Sequence, residues 1–98
     1  MDKINEKVQG QSISLMKQVC HYITDSIAID EEVEGFNYFD APTELMTELD
    51  NNNELRDDIA GSVECYLERL GKKVSVDVNV DETSDGELMI VVEWATQD

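Results

Sequence analysis

Val74-Ser75-Val76-Asp77-Val78-Asn79-Val80 alternates apolar and polar residues without a break. A period of two is the mark of a β-strand with one dry and one wet face. Asp81-Glu82-Thr83-Ser84-Asp85-Gly86 follows as a turn, with Gly86 suited to a positive φ. Leu88-Met89-Ile90-Val91-Val92-Glu93-Trp94-Ala95 is the return strand. Leu88, Ile90, Val92 and Trp94 share one of its faces, and Met89 and Val91 are apolar on the other, so this strand is expected to be covered from both sides. A two-stranded sheet is marginal by itself. Either the hairpin packs on helices and is partly covered elsewhere, or it meets its own copy. Two open strand edges and a surplus apolar face favour the second, a homodimer through the C-terminal hairpin.

Upstream of the hairpin the period changes to that of helices. Leu55, Ile59, Val63, Tyr66 and Leu70 predict the buried stripe of a helix over 52–70. Asn51 with Glu54 three residues on resembles a capping box. Gly71 supplies a left-handed stop, and Arg69, Lys72 and Lys73 suit the negative end of the helix dipole. Pro42 and Glu44 open a short helix whose apolar face is Leu45, Met46 and Leu49. Residues 30–41 read as a loop. A long first helix is predicted over 11–29, with Ile13, Met16, Cys20, Ile23 and Ile27 as its stripe and Leu15 and Val19 widening it. So wide an arc implies cover on more than one side. Residues 2–9 are left open between an extension through Gly10 and a separate piece. The fold class is therefore α+β: three helices, one long, one short and one long, followed by a C-terminal antiparallel β-hairpin, in one domain over 1–98.

Charge narrows the function. The chain has 98 residues, 23 Asp and Glu against 7 Lys and Arg, and a net charge of −16. Its segments differ: net +1 over 1–24, −13 over 25–68 with Arg56 the sole base, +3 over 69–76 and −7 over 77–98. A surface this negative repels phosphates and anionic lipid, so neither direct nucleic-acid binding nor membrane binding is expected. Solubility needs only about 2–8 charges on a small domain. The N-terminal stretch has no apolar signal-like run, no segment is long enough to span a membrane, and Cys20 and Cys65 match no disulfide framework; a cytoplasmic location is expected.

Catalytic and metal-binding patterns are missing. One histidine cannot build a multi-histidine site, and His21 projects away from Cys20 on its helix, a poor geometry for a nucleophile and its base. Cys20 reads as core and His21 as solvated; Cys65 reads as packed against another element. No Cys-x-x-Cys is present, so zinc is not expected. Asp81, Thr83, Asp85 and Gly86 fit the start of a calcium loop, but Val92 stands where the bidentate Glu belongs and the flanks are strands. No cofactor, no metal and no enzymatic activity are expected.

Acids remain as the informative feature. Glu54, Asp57, Asp58, Glu64 and Glu68 project opposite the apolar stripe of the 52–70 helix. They span about 21 Å of axis, over which one DNA strand carries roughly six phosphates. Glu44 and Glu48 form a like-charged i,i+4 pair, and Asp30, Glu31, Glu32 and Glu34 cluster in the 30–41 segment. Phe36, Tyr38 and Phe39 lie among these acids as candidate interface anchors. In size and charge the chain is similar to the small acidic DNA-mimic proteins of phages and mobile elements, a likeness of class carried by no motif. It implies a non-enzymatic inhibitor that fills the basic groove of a DNA- or RNA-binding protein. The alternative is an immunity protein or antitoxin that neutralises one cognate basic toxin; breadth of binding separates the two.

Overall fold

The computed structural model describes residues 6–31 and 33–97, with the backbone alone for Asp30. Among the described residues the elements follow in the order α1 (Glu6–Asp30), β1 (Glu34–Phe39), α2 (Thr43–Asn51), α3 (Asn53–Arg69), β2 (Val74–Glu82) and β3 (Leu88–Thr96). The α+β class, the three helices and the C-terminal hairpin are as the sequence predicts. The strand β1 is not. It takes the place of the expected loop and pairs antiparallel with β3, giving a sheet of order β1-β3-β2. β3 is thus the central strand.

β1 escapes a hydropathy reading because its pattern is inverted. Cross-strand partners share a face, and Phe39 lies opposite Ile90, Asn37 opposite Val92 and Gly35 opposite Trp94, all on the helix side. The apolar residues Phe36 and Tyr38 fall on the other face. Gly35 is fixed by a close approach: a Cβ there would lie 3.1 Å from the Trp94 ring. Tyr22 of α1 ties β1 down, with its ring 5.8 Å from that of Phe39 in an edge contact and its hydroxyl donating to the Phe36 carbonyl.

The helices cover one face of the sheet. Leu15, Val19 and Ile23 of α1, Leu45 and Leu49 of α2, and Leu55, Ile59, Val63 and Leu67 of α3 meet Val74, Val76, Val78, Ile90, Val92 and Trp94 in a single core. The stripes differ from those expected. In α1 Ile13 is exposed, Met16 and Ile27 are half-buried, and Val8, Ser12 and Ser26 are inside; the Ser12 hydroxyl is satisfied by donating to the Val8 carbonyl. In α3 Tyr66 and Leu70 are exposed and Ala60 and Leu67 take their places. Both helices carry an apolar arc wider than the sheet can cover. The period locates the helix, but the wide arc allows more than one centre, and packing turns the buried one away from the expected one by roughly 70° in α1 and roughly 35° in α3 at 100° per residue. Cys20 is buried, which pushes its thiol pKa up by desolvation; Cys65, expected to be packed, is exposed.

Caps fix the boundaries. From Glu6, the first described residue, α1 continues through Gly10, so 6–9 extend the expected helix, and residues 2–5 lie outside the described residues. Asn52, one residue beyond the expected cap, accepts from the Leu55 N–H at 3.1 Å and starts α3. The Arg56 guanidinium donates to the Leu49 and Asp50 carbonyls at the end of α2, so the sole base of the 25–68 segment serves the fold. α3 closes with Gly71 at φ +83°, its N–H bonded to the Glu68 carbonyl and the Lys72 N–H to that of Leu67, the pattern of a Schellman motif.

Of the two hairpin edges expected to be open, one is taken within the chain and the other, along β2, remains an edge of the sheet. β1 occupies the free side of β3. On β2 the Val76 N–H donates to the Glu64 carboxylate of α3 at 2.7 Å. The first contact closes an edge and the second occupies a single N–H; neither covers the face that carries Met89 and Val91, so the cover expected on both sides of β3 is present on the helix side alone.

Candidate protein-binding surfaces

Register places every side chain of the sheet's outer face, which no helix covers. Three rows cross all three strands: Glu34–Ala95–Ser75, Phe36–Glu93–Asp77 and Tyr38–Val91–Asn79; Met89 and Asp81 continue the face. Phe36 and Tyr38 are 59% and 52% exposed and stand edge to face, their ring centres 6.0 Å apart. Beside Phe36 a hollow of about 400 Å³ is lined by Glu34, Ser75, Asp77, Glu93 and Ala95 among others. Asp77 faces Glu93 directly across the strands, an arrangement of like charges that costs a sheet stability. The strand residues of this face include no base, Lys73 following at its end where its carbonyl accepts from the Gln97 N–H, and none of the carboxylates has an ion-pair partner among the described residues.

The acids of α3 do not form the single continuous face expected of them. Glu64 is half-buried and holds the β2 edge. Asp57 and Asp58 line a groove between α1 and α3. Glu54 and Glu68 stand exposed in solvent. Helical projection groups all five in one arc, but an arc of roughly 120° is wide enough for its two margins to meet different neighbours. On α2 Glu48 is exposed, while Glu44 pairs with Lys7 of α1 at 2.6 Å. That hydrogen bond and the Lys7 charge hold the Glu44 carboxyl below the usual carboxylate range. Glu31 and Glu34 are exposed, Glu31 with φ +55° just past α1; Glu32 and the Asp30 side chain lie outside the described residues. Of the three candidate aromatic anchors, Phe36 and Tyr38 are on the open face, and Phe39 is a core residue instead. The odd step in Phe36-Asn37-Tyr38-Phe39 explains the split, because alternation sends Phe39 to the opposite side from the other two.

The α1–α3 groove encloses about 960 Å³ and has a different character. Its walls are Ile13, Met16 and Cys20 from α1 and Gly61, Tyr66 and Leu70 from α3, and Lys17, His21 and Arg69 line it together with Asp57 and Asp58. His21 is paired with Asp25 at 3.1 Å. Sequence reasoning missed the groove by assigning Ile13, Tyr66 and Leu70 to the core. Asp77 and Glu93 are not among the candidate partner-binding acids of the sequence, because the hairpin is assigned there to a dimer contact; their shared row with Phe36 follows only from knowing that β1 exists. Among the described residues no group of three or more His, Cys, Asp or Glu side chains is placed to hold a metal ion, and no helix is long and apolar enough to cross a membrane. No protein family, no curated protein and no solved structure matches the chain.

Proposed function

We propose that this protein is a non-enzymatic inhibitor that binds the basic, phosphate-recognising surface of a DNA- or RNA-binding protein, its carboxylates standing where phosphates would. The row Phe36–Glu93–Asp77 carries the reading. An exposed ring beside two opposed carboxylates is costly for folding and well matched to an arginine or lysine. The guanidinium gains charge-assisted hydrogen bonds from the carboxylates and a cation–π contact from the ring. Glu34 and Asp81 on the same face, with Glu48, Glu54 and Glu68 on the helices, extend the negative surface over both sides of the molecule. Few of these charges are neutralised internally: among the described residues Lys7–Glu44 is an ion pair, and His21 contacts Asp25.

The test is competition. A basic DNA-binding protein captured on the immobilised chain is loaded with a fluorescent DNA duplex, and the free chain is titrated in. Displacement is expected at low salt and is expected to fade as ionic strength rises, because exposed charges are screened beyond about 8 Å at physiological salt. Reversal of Asp77 and Glu93 to Lys is expected to abolish displacement with the fold intact. Displacement that ignores salt, or survives that reversal, overturns the reading.

A further inference from the structure

The helical layer is one helix thick. The molecule measures 37 × 34 × 18 Å and exposes 6465 Å², against roughly 5,600 Å² for a folded monomer of its mass. α1 has an apolar arc that the sheet and α3 do not fully cover, and Ile13 of α1 with Tyr66 and Leu70 of α3 stand about half exposed along one groove.

We propose that the groove between α1 and α3 is a self-association face, closed by the same groove of a second copy across a two-fold axis. Charge selects this occupant. A second copy also carries −16, so contact through either acidic surface sets carboxylates against carboxylates. The groove is the exception. Lys17 and Arg69 line it, and neither has an ion-pair partner among the described residues; Asp57 and Asp58 line it too. An isologous contact needs both signs of charge on one patch, because each residue meets the counterpart of its neighbours. An uncharged amphipathic helix would fit the apolar walls but leave Lys17 and Arg69 without partners. A basic partner gains more from the outer sheet face, where Glu34, Asp77, Asp81 and Glu93 outnumber the one base at its end, Lys73. The pairing leaves the outer sheet face of each copy free and lengthens the negative surface.

Sedimentation equilibrium at tens of micromolar protein and about 0.15 M salt tests this without any partner, so its outcome is independent of the proposed function. The expected mass is twice 11.1 kDa. Two variants probe the groove. Ile13→Glu with Leu70→Glu replaces exposed apolar side chains and is expected to raise the dimer dissociation constant at least tenfold. Gly61→Arg has open space at its Cβ, with nothing within 4 Å, so one chain accommodates it while a groove-filling partner does not. It also lowers the net negative charge, so weaker association in that variant cannot be general repulsion. Far-ultraviolet circular dichroism at high dilution confirms the fold of each. A wild-type mass of 11.1 kDa across the range, a dimer that survives Gly61→Arg, or a dimer lost on Phe36→Ala with Tyr38→Ala overturns the proposal.

Discussion

The outer face of the sheet and the groove between α1 and α3 both expose large apolar side chains, and they differ in what surrounds them. Phe36, Tyr38 and Val91 sit among Glu34, Asp77, Asp81 and Glu93, with Lys73 at the end of the face beyond Ser75. Ile13, Tyr66 and Leu70 sit among Lys17, His21 and Arg69 as well as Asp57 and Asp58. Burial alone would make the two surfaces equivalent. The neighbouring charges make one suited to a cationic partner and the other to a surface that carries both signs. In a strongly acidic protein, the location of the few bases is more informative than the location of the many acids. Arg56 is committed to the end of α2 and Lys7 to Glu44; Lys17 and Arg69 line the groove with no ion-pair partner among the described residues, while Lys72 and Lys73 follow α3 and are not part of its lining.

The sharpest way to test the assignment of the outer face is to compare two phenylalanines three residues apart. Phe39 is in the core and Phe36 is not. Phe39→Ala is expected to cost about 3–5 kcal/mol in a denaturant titration. Phe36→Ala is expected to stay within about 0.5 kcal/mol and to weaken binding of the basic partner instead. Equal costs would mean that β1 does not hold the observed register with β3.

A smaller effect separates the acids of α3. Glu64 accepts the Val76 N–H, whereas Glu68 is exposed. Glu64→Ala should cost on the order of 1–2 kcal/mol, the low side of the range for a hydrogen bond to a charged group because the site is only half-buried. Glu68→Ala should be near neutral in stability. If both are neutral, Glu64 belongs with the partner-facing acids and the edge of β2 is open for pairing.

These contrasts mark what could be read in advance. The hairpin was legible because Val74–Val80 puts one residue type on each face, and α3 because Gly71 and its apolar period bracket it. β1 was not, because a short strand whose open face carries Phe36 and Tyr38 and whose core face carries Gly35 and Asn37 contradicts the usual hydropathy pattern. Its rings, favourable for strands and two residues apart, were the available signal. The acids of the α3 face were legible as charges but not by role. The contacts that assign Glu64 to the sheet, Asp57 to the groove and Glu68 to solvent depend on elements distant in sequence. The groove was hidden by the breadth of the apolar arcs on α1 and α3, where periodicity leaves more than one centre and only packing decides.

The smallest effect expected is also the one that separates folding from binding most cleanly. Asp77 lies opposite Glu93 on the outer face, and like charges in that position are destabilising by about 0.2–1 kcal/mol. Asp77→Asn keeps the shape and removes one charge, so the variant should be slightly more stable than the wild type in a denaturant titration at low salt. The gain should shrink as salt is added, since screening already relieves the repulsion in the wild type. Binding of the basic partner should change in the opposite sense, weakening at low salt and converging with the wild type at high salt. A charge present only for solubility would show the first behaviour without the second. Both together would mean that the outer face gives up folding stability for an interaction that the isolated chain does not make.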